Sequence, residues 1–494
     1  MLSTKLIGLL SGIIFFVLIL LLPTPNSMSI EAKSVAAVVV LMSIWWLTAA
    51  IPIYATAFLP LVLFPLLKIL PAQDTAANYA HNFVFMMLGG FILAKAIETQ
   101  NLHKRIALVL MNIFGTGRKR IILSIMLATA FLSMWISNIT TALLMLPIAL
   151  AIVVKEETGT NGATTFSKAL ILGVAYSATI GGLGTLIGSP TNLILVGVME
   201  KIFPQAPPIT FFQWLKIGLP ILIILLPIIW FYLIKYFKVT GFLSDSHEVI
   251  KQDLNNLGKM SVGEKGVMYV FLIAVFGWVF RDGFEFGNFM IKGWGELTGL
   301  QGYVHDSTVA LLAVLLLFIL PAGNNKKLME WKDASQIPWG VLVIVGGGYA
   351  LAESFKVTGL ADWLGQLLLF VNNFSPLVVL IIVVVFISFF TELNPNTATV
   401  NIFLPVLASL AIVSNTNPLL LMIPATVASS FAFMMPAGTG PNTIAFASER
   451  LTISEMAKSG LGIKFISLVI LILLLYFIIM PSLNLQTTLP DWAK

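Results

Sequence analysis

Apolar runs of about eighteen residues return from one end of this chain to the other, each long enough to cross a roughly 30 Å hydrocarbon core as a helix. Residues 6–22, 262–280, 304–320 and 465–480 are the plainest of them. In lipid the backbone finds no water to bond, so only helices or closed barrels span a membrane. Barrel strands alternate apolar and polar side chains, and these runs do not. The chain therefore reads as an all-α polytopic membrane protein. Charged residues make up 10% of it, against about 25% in a soluble domain.

The formal charge of +6 does not call for nucleic acid, because the basic residues gather at the ends of the expected spans. There they orient the protein by the positive-inside rule. No cysteine is present, which excludes disulfides, thiolate zinc sites and cysteine nucleophiles. Lys5 ahead of an apolar stretch resembles a secretory signal. Without a small-residue cleavage site, it is expected to be the first spanning helix.

About eleven crossings are expected, near residues 5–22, 34–51, 53–70, 83–112, 167–199, 214–237, 262–281, 304–321, 338–371, 417–449 and 460–481. Two further apolar blocks, 121–154 and 375–413, carry polar and helix-breaking residues at their middles and read as re-entrant hairpins. The expected organisation is N-terminal scaffold helices over 1–82 and a first repeat over 83–237. A connecting loop with scaffold helices over 238–337, a second repeat over 338–482 and a tail over 483–494 complete it. The polar stretch 238–266 reads as a loop or surface helix. Basic clusters at Lys104, Arg105, Arg118, Lys119 and Arg120, at Lys251, Lys259 and Lys265, and at Arg450 and Lys458 fall on one side if the N-terminus is inside. The C-terminus then lies outside.

The two repeats align without a gap at an offset of 258 from the Gly-Gly pairs through the hairpins, and at an offset of 250 in the breaks farther on. Gly89-Gly90-Phe91 matches Gly347-Gly348-Tyr349, and the same offset pairs Asn138 with Asn396 and Pro147 with Pro405. Gly188, Ser189 and Asn192 likewise match Gly438, Thr439 and Asn442. An odd number of crossings between the hairpins makes the repeats inverted, the architecture of alternating-access carriers with a midplane site.

Within the first hairpin Ser133, Ser137, Asn138, Thr140 and Thr141 interrupt an apolar sequence; in the second, Thr391, Glu392, Asn394, Asn396, Thr397 and Thr399 do so. The fifth and tenth spans break at 181–192 and 436–442, both rich in Gly and Pro. Half-helices starting at such breaks present free N–H groups and partial positive charge, with Ser, Thr and Asn as caps and neutral donors. No Lys, Arg, Asp or Glu occurs between Arg120 and Lys155 or between Lys168 and Glu200. The pattern suits an anion held by dipoles, by a co-bound cation, or by both. Glu392 is expected to cap or to bond between helices, with a proton relay as the alternative. An intramembrane enzyme would need an acid/base or metal cluster, and the hairpins hold one glutamate.

In these motifs the chain resembles the divalent anion/sodium symporter family over nearly its whole length. The family's marker is Ser-Asn-Thr at each hairpin tip, which here reads Ser137-Asn138-Ile139 and Pro395-Asn396-Thr397. The resemblance implies an elevator-type carrier, a homodimer in lipid, with small dicarboxylates of the succinate, malate, fumarate and 2-oxoglutarate class as substrates. Sulfate is the alternative cargo. It implies substrate contacts at Ser137, Asn138, Asn396 and Thr397, with Thr439 and its repeat mate Ser189 as further candidates. It implies no cofactor other than sodium ions, held by Ser133, Ser137, Asn138 and Gly188 in one half and Thr391, Asn394, Asn396 and Gly438 in the other. Ile139 and Pro395 depart from the marker, and this weighs slightly toward dicarboxylate exchange over sodium symport.

Overall fold

The structure is a computed structural model that describes residues 4–112, 117–157, 163–241, 252, 254–286, 289–323 and 325–494. Helices α1 (Thr4–Leu21) and α2 (Ile30–Thr48) form an antiparallel pair at the rim. Ser29 starts α2 by accepting the Ala32 N–H at 2.9 Å. In place of one expected span over 53–70 stand short helices Ile53–Thr56 and Leu59–Leu66. Pro52, Pro60 and Pro65 each lack the N–H that would carry a helix through. The expected span 83–112 is two helices, α3 (Asn82–Thr99) and α4 (Leu102–Asn112), separated where Asn101 takes a left-handed φ of 58°.

The first hairpin is α5 (Arg118–Ser133) and α6 (Asn138–Glu156). The broken fifth span is α7 (Thr165–Gly181) and α8 (Pro190–Ile202), followed by α9 (Phe211–Tyr236). Next come α10 (Val262–Val279), opened by a Ser261–Glu264 capping box, α11 (Asp306–Ile319), α12 (Trp339–Thr358) and α13 (Leu360–Leu367). The second hairpin is α14 (Pro376–Phe390) and α15 (Asn396–Val413). The broken tenth span is α16 (Pro418–Ser429) and α17 (Gly440–Phe446), and α18 (Ile453–Leu474) is the last long helix. Two short antiparallel strand pairs join Phe284–Phe286 to Phe289–Ile291 and Pro321–Gly323 to Lys326–Lys327.

Among the described residues, eight helices are long and apolar enough to cross a membrane. Seven of these fall on expected crossings and one is α15 of the second hairpin; the other four crossings are missing because the fifth and tenth are broken, the third is interrupted, and α11 is only 14 residues long. Every residue of α16 is buried and nearly every one of α7, so the broken helices form the centre. In α1 only Gly8 and Gly12 are buried. Phe15, Leu272 and Phe477 are among many large apolar side chains left exposed, a surface suited to lipid and not to water. Much of the 238–266 connection, with His247 and Lys251, lies outside the described residues. Its end is tied down by Arg105, which donates to Glu264 Oε1 at 2.7 Å and to Gly258 O at 3.0 Å.

Candidate functional site

In each hairpin tip one hydroxyl bonds both the neighbouring broken helix and the tip asparagine. Ser133 reaches Ala178 O at 2.6 Å and Asn138 Oδ1 at 2.9 Å. Thr391 reaches Ser429 O at 2.7 Å and Asn396 Oδ1 at 2.8 Å. A hydroxyl carries one proton, so neither can satisfy two oxygens fully. Acceptor capacity is left over beside both asparagines, which is what a cation seeks.

The breaks are held with the same symmetry. Asn192 Nδ2 donates to Gly182 O at 3.0 Å and Thr185 O at 2.8 Å; Asn442 Nδ2 donates to Ala432 O at 2.9 Å and Met435 O at 3.1 Å. Thr185 also donates to Met134 O, locking the first break to the first tip. A Cβ on Gly182 would overlap the Asn138 amide, so the glycine leaves that side chain its place. The expected caps form at Ser137, whose side chain accepts from Thr140 N at 3.2 Å, and at Thr439, which accepts from Asn442 N at 3.3 Å. They do not form at the other two starts. Ser189 bonds Thr191 Oγ1 at 2.9 Å instead, and Pro395 has no side-chain acceptor to offer.

Tips and breaks surround one cavity of about 590 Å³. Ser137, Asn138, Ser189, Asn396, Thr397 and Thr439, the six expected substrate contacts, all line it. So does Gly438 from the expected cation set, whereas Ser133, Thr391, Asn394 and Gly188 are buried and do not. Both polar side-chain atoms of Asn394 lack a partner. The carbonyl oxygens of Met134 and Gly182 converge on Gly188, at 2.9 and 2.7 Å from where its Cβ would stand. Among the described residues no charged side chain lines the cavity; Phe91, Val341 and Ile344 supply an apolar wall. Ile139 stands 51% exposed at the tip and presses on Gly440.

Glu392 bonds between elements, one of the two roles expected beside a proton relay, and starts no helix. It accepts the N–H groups of Phe433, Met434 and Met435 in the second break and pairs with Lys464 of α18 at 2.7 Å. Lys464 was not anticipated from the sequence, although an ionisable residue inside an apolar span is itself a signal. Lys95 and Glu353 lie off the cavity, paired with Glu98 and Lys201. The rings of His81 and His305 both pack on Phe83. Among the described residues no group of three or more His, Cys, Asp or Glu could hold a metal ion.

A polar, uncharged cavity shared by paired helix breaks, at the centre of a lipid-facing bundle, makes this a membrane carrier. The chain belongs to the sodium:sulfate symporter family, whose transmembrane-region model matches residues 3–483. It is 40% identical over 497 residues to the sodium-dependent dicarboxylate transporters SdcS of Staphylococcus saprophyticus and Staphylococcus aureus, covering 98% of this chain and 93% of each relative. A solved structure of Neisseria gonorrhoeae MtrF, described within a class of antimetabolite efflux pumps, shares the fold. Its TM-score is 0.60 at 14% identity, over 97% of this chain and 96% of that one.

Proposed function

We propose that the protein carries small dicarboxylates across a cytoplasmic-type membrane together with sodium ions, by alternating access. One observation carries this reading: all six polar residues expected at the substrate face one cavity that has no charged lining among the described residues. The carboxylates are met by the Asn138 and Asn396 amides, the Ser137, Thr397, Thr439 and Ser189 hydroxyls, and free N–H groups where α6, α15 and α17 begin. A dianion in such a site needs counter-charge, and sodium supplies it. Ser133, Ser137, Asn138 and Gly188 hold one ion; Thr391, Asn394, Asn396 and Gly438 hold another.

The relatives named as sodium-dependent dicarboxylate transporters support this over exchange. So does the geometry, because Ser133, Thr391 and Asn394 are buried off the cavity while Ile139 and Pro395 line it. The cavity is also far roomier than a sulfate ion needs, which favours dicarboxylates. The same reading includes a homodimer, elevator movement of the two hairpins with the broken helices, and an inside N-terminus. The test is succinate uptake into proteoliposomes with and without sodium, with and without internal dicarboxylate, and in competition with sulfate. Sodium-driven uptake into empty liposomes, unaffected by sulfate, is expected; uptake that needs internal dicarboxylate and ignores sodium refutes the coupling.

A further inference from the structure

Glu392 and Lys464 form a buried ion pair at the second half-site, 5% and 0% exposed. Lys464 also donates to Ser388 O, and its Nζ lies 4.8 Å from the centre of the Phe389 ring. The carboxylate uses its remaining acceptor capacity on the unwound segment between α16 and α17. Oε1 takes Phe433 N and Met434 N, both at 3.0 Å, and Oε2 takes Met434 N at 3.2 Å and Met435 N at 2.9 Å. Oε2 would also lie 3.1 Å from a Cβ on Gly438, a residue of the proposed second cation site.

The first repeat meets the same packing problem without charge. Gly218 of α9 and Gly460 of α18 hold equivalent places, since a Cβ on either would overlap the carbonyl oxygen of Leu183 or Phe433. Those two residues are themselves repeat mates. Four residues beyond each glycine come Leu222 and Lys464, and next to the fastening residues Ser133 and Thr391 come Met134 and Glu392. Met134 Cγ and Leu222 Cδ2 meet at Gly184, 2.9 and 3.0 Å from the place of its Cβ. An apolar pair therefore stands where the second repeat has an ion pair.

Desolvating two charges is costly, and an apolar pair of similar volume often packs as well or better. The first repeat does so in this very fold. We propose that Glu392 and Lys464 are positioning residues for cation binding at the second half-site. They hold the 432–439 segment in the shape that binding requires, so the two half-sites are unequal: only the second depends on an intact ion pair. This rests on the sodium-coupled reading above.

The test uses the full-length protein in liposomes and three variants: Glu392→Gln, Lys464→Met, and the double Glu392→Met/Lys464→Leu, which copies Met134 and Leu222 of the first repeat. Uptake is measured against sodium at saturating succinate and against succinate at saturating sodium. Removing one partner of a buried pair is strongly disruptive, so Lys464→Met should raise the half-saturating sodium concentration about tenfold or more. The double variant should show the same shift and a lower Hill coefficient for sodium. The succinate KM at saturating sodium should change in each by less than about threefold, because only one ligand's binding is touched. A folded double variant with the wild-type sodium curve overturns the proposal, leaving the pair as packing. Equal losses for sodium and succinate overturn it too, since local collapse moves both. Failure of all three variants to accumulate as folded protein makes the pair a requirement for folding and also overturns it. A wild-type protein indifferent to sodium removes the underlying reading, and that failure is seen before any substitution is made.

Discussion

On the proposed site assignment, truncating either tip asparagine should separate binding from folding. Asn138 and Asn396 stand at the first positions of α6 and α15, where alanine is well tolerated. In Asn138→Ala, Ser133 loses one acceptor but keeps Ala178 O at 2.6 Å. In Asn396→Ala, Thr391 keeps Ser429 O at 2.7 Å. Each hydroxyl remains bonded, so no buried donor is orphaned and the cost to stability stays near the about 0.5–1.5 kcal/mol of one ordinary hydrogen bond. A bound carboxylate, by contrast, loses an amide partner in a cavity that offers no charge in exchange. An unmet buried group of this kind costs about 1–3 kcal/mol, which at about 1.4 kcal/mol per decade is roughly 5- to 150-fold in affinity. Succinate uptake in proteoliposomes gives KM, and size-exclusion chromatography with thermal unfolding in detergent gives the folded state. Wild-type KM in both variants would refute the assignment of the tips. A loss of folded protein in parallel with uptake would refute the claim that the hydroxyls stay satisfied.

Three further outcomes follow. Gly182→Ala should displace the Asn138 amide and reduce uptake severely while leaving the fold intact; uptake at the wild-type rate would show that the close approach is unimportant. Single cysteines at Gly117 and Asn373 should label from opposite faces of the membrane, with no native thiol in the background, and labelling from one face would disprove inverted repeats. His305 accepts the Ser307 N–H on Nδ1 at 3.1 Å to start α11, so His305→Ala should lower the thermal unfolding temperature, and an unchanged one would show the cap to be idle.

What the sequence made legible follows from contrast. Ser133 to Thr141, Thr391 to Thr399, and the Gly- and Pro-rich stretches at 181–192 and 436–442 stand out because everything around them is apolar. Polar or helix-breaking residues survive there only with a local purpose. Asn138 and Asn396, spaced alike from the two Gly-Gly pairs, could be matched by eye for the same reason. Lys464 could not be linked to its partner, because Glu392 lies in another element and a pairing across distant helices leaves no periodic trace. The third span differs for the opposite reason. Residues 53–70 are apolar enough for one helix, and proline, not polarity, divides them, since Pro60 has no N–H for the carbonyl of Thr56, where the first short helix ends. The failure of Ser189 to cap was hidden in its neighbour's hydroxyl, since Thr191 competes at 2.9 Å for the same oxygen.

The uncharged cavity has an electrical consequence. Among the described residues no Lys, Arg, Asp or Glu lines it, and the nearby Glu392 and Lys464 cancel each other. When such a carrier returns empty, the site itself brings almost no charge across the field, so membrane voltage has little grip on that step. Voltage acts instead on the cargo: each net charge that accompanies the substrate gains about 2.3 kcal/mol per 100 mV, and a cargo of balanced charge gains nothing. The protein would then be a nearly neutral vehicle whose current reports its load. Voltage jumps on liposomes or supported membranes containing neither sodium nor dicarboxylate should accordingly give no transient current above that of protein-free lipid, and a sizeable transient would place moving charge in the protein itself.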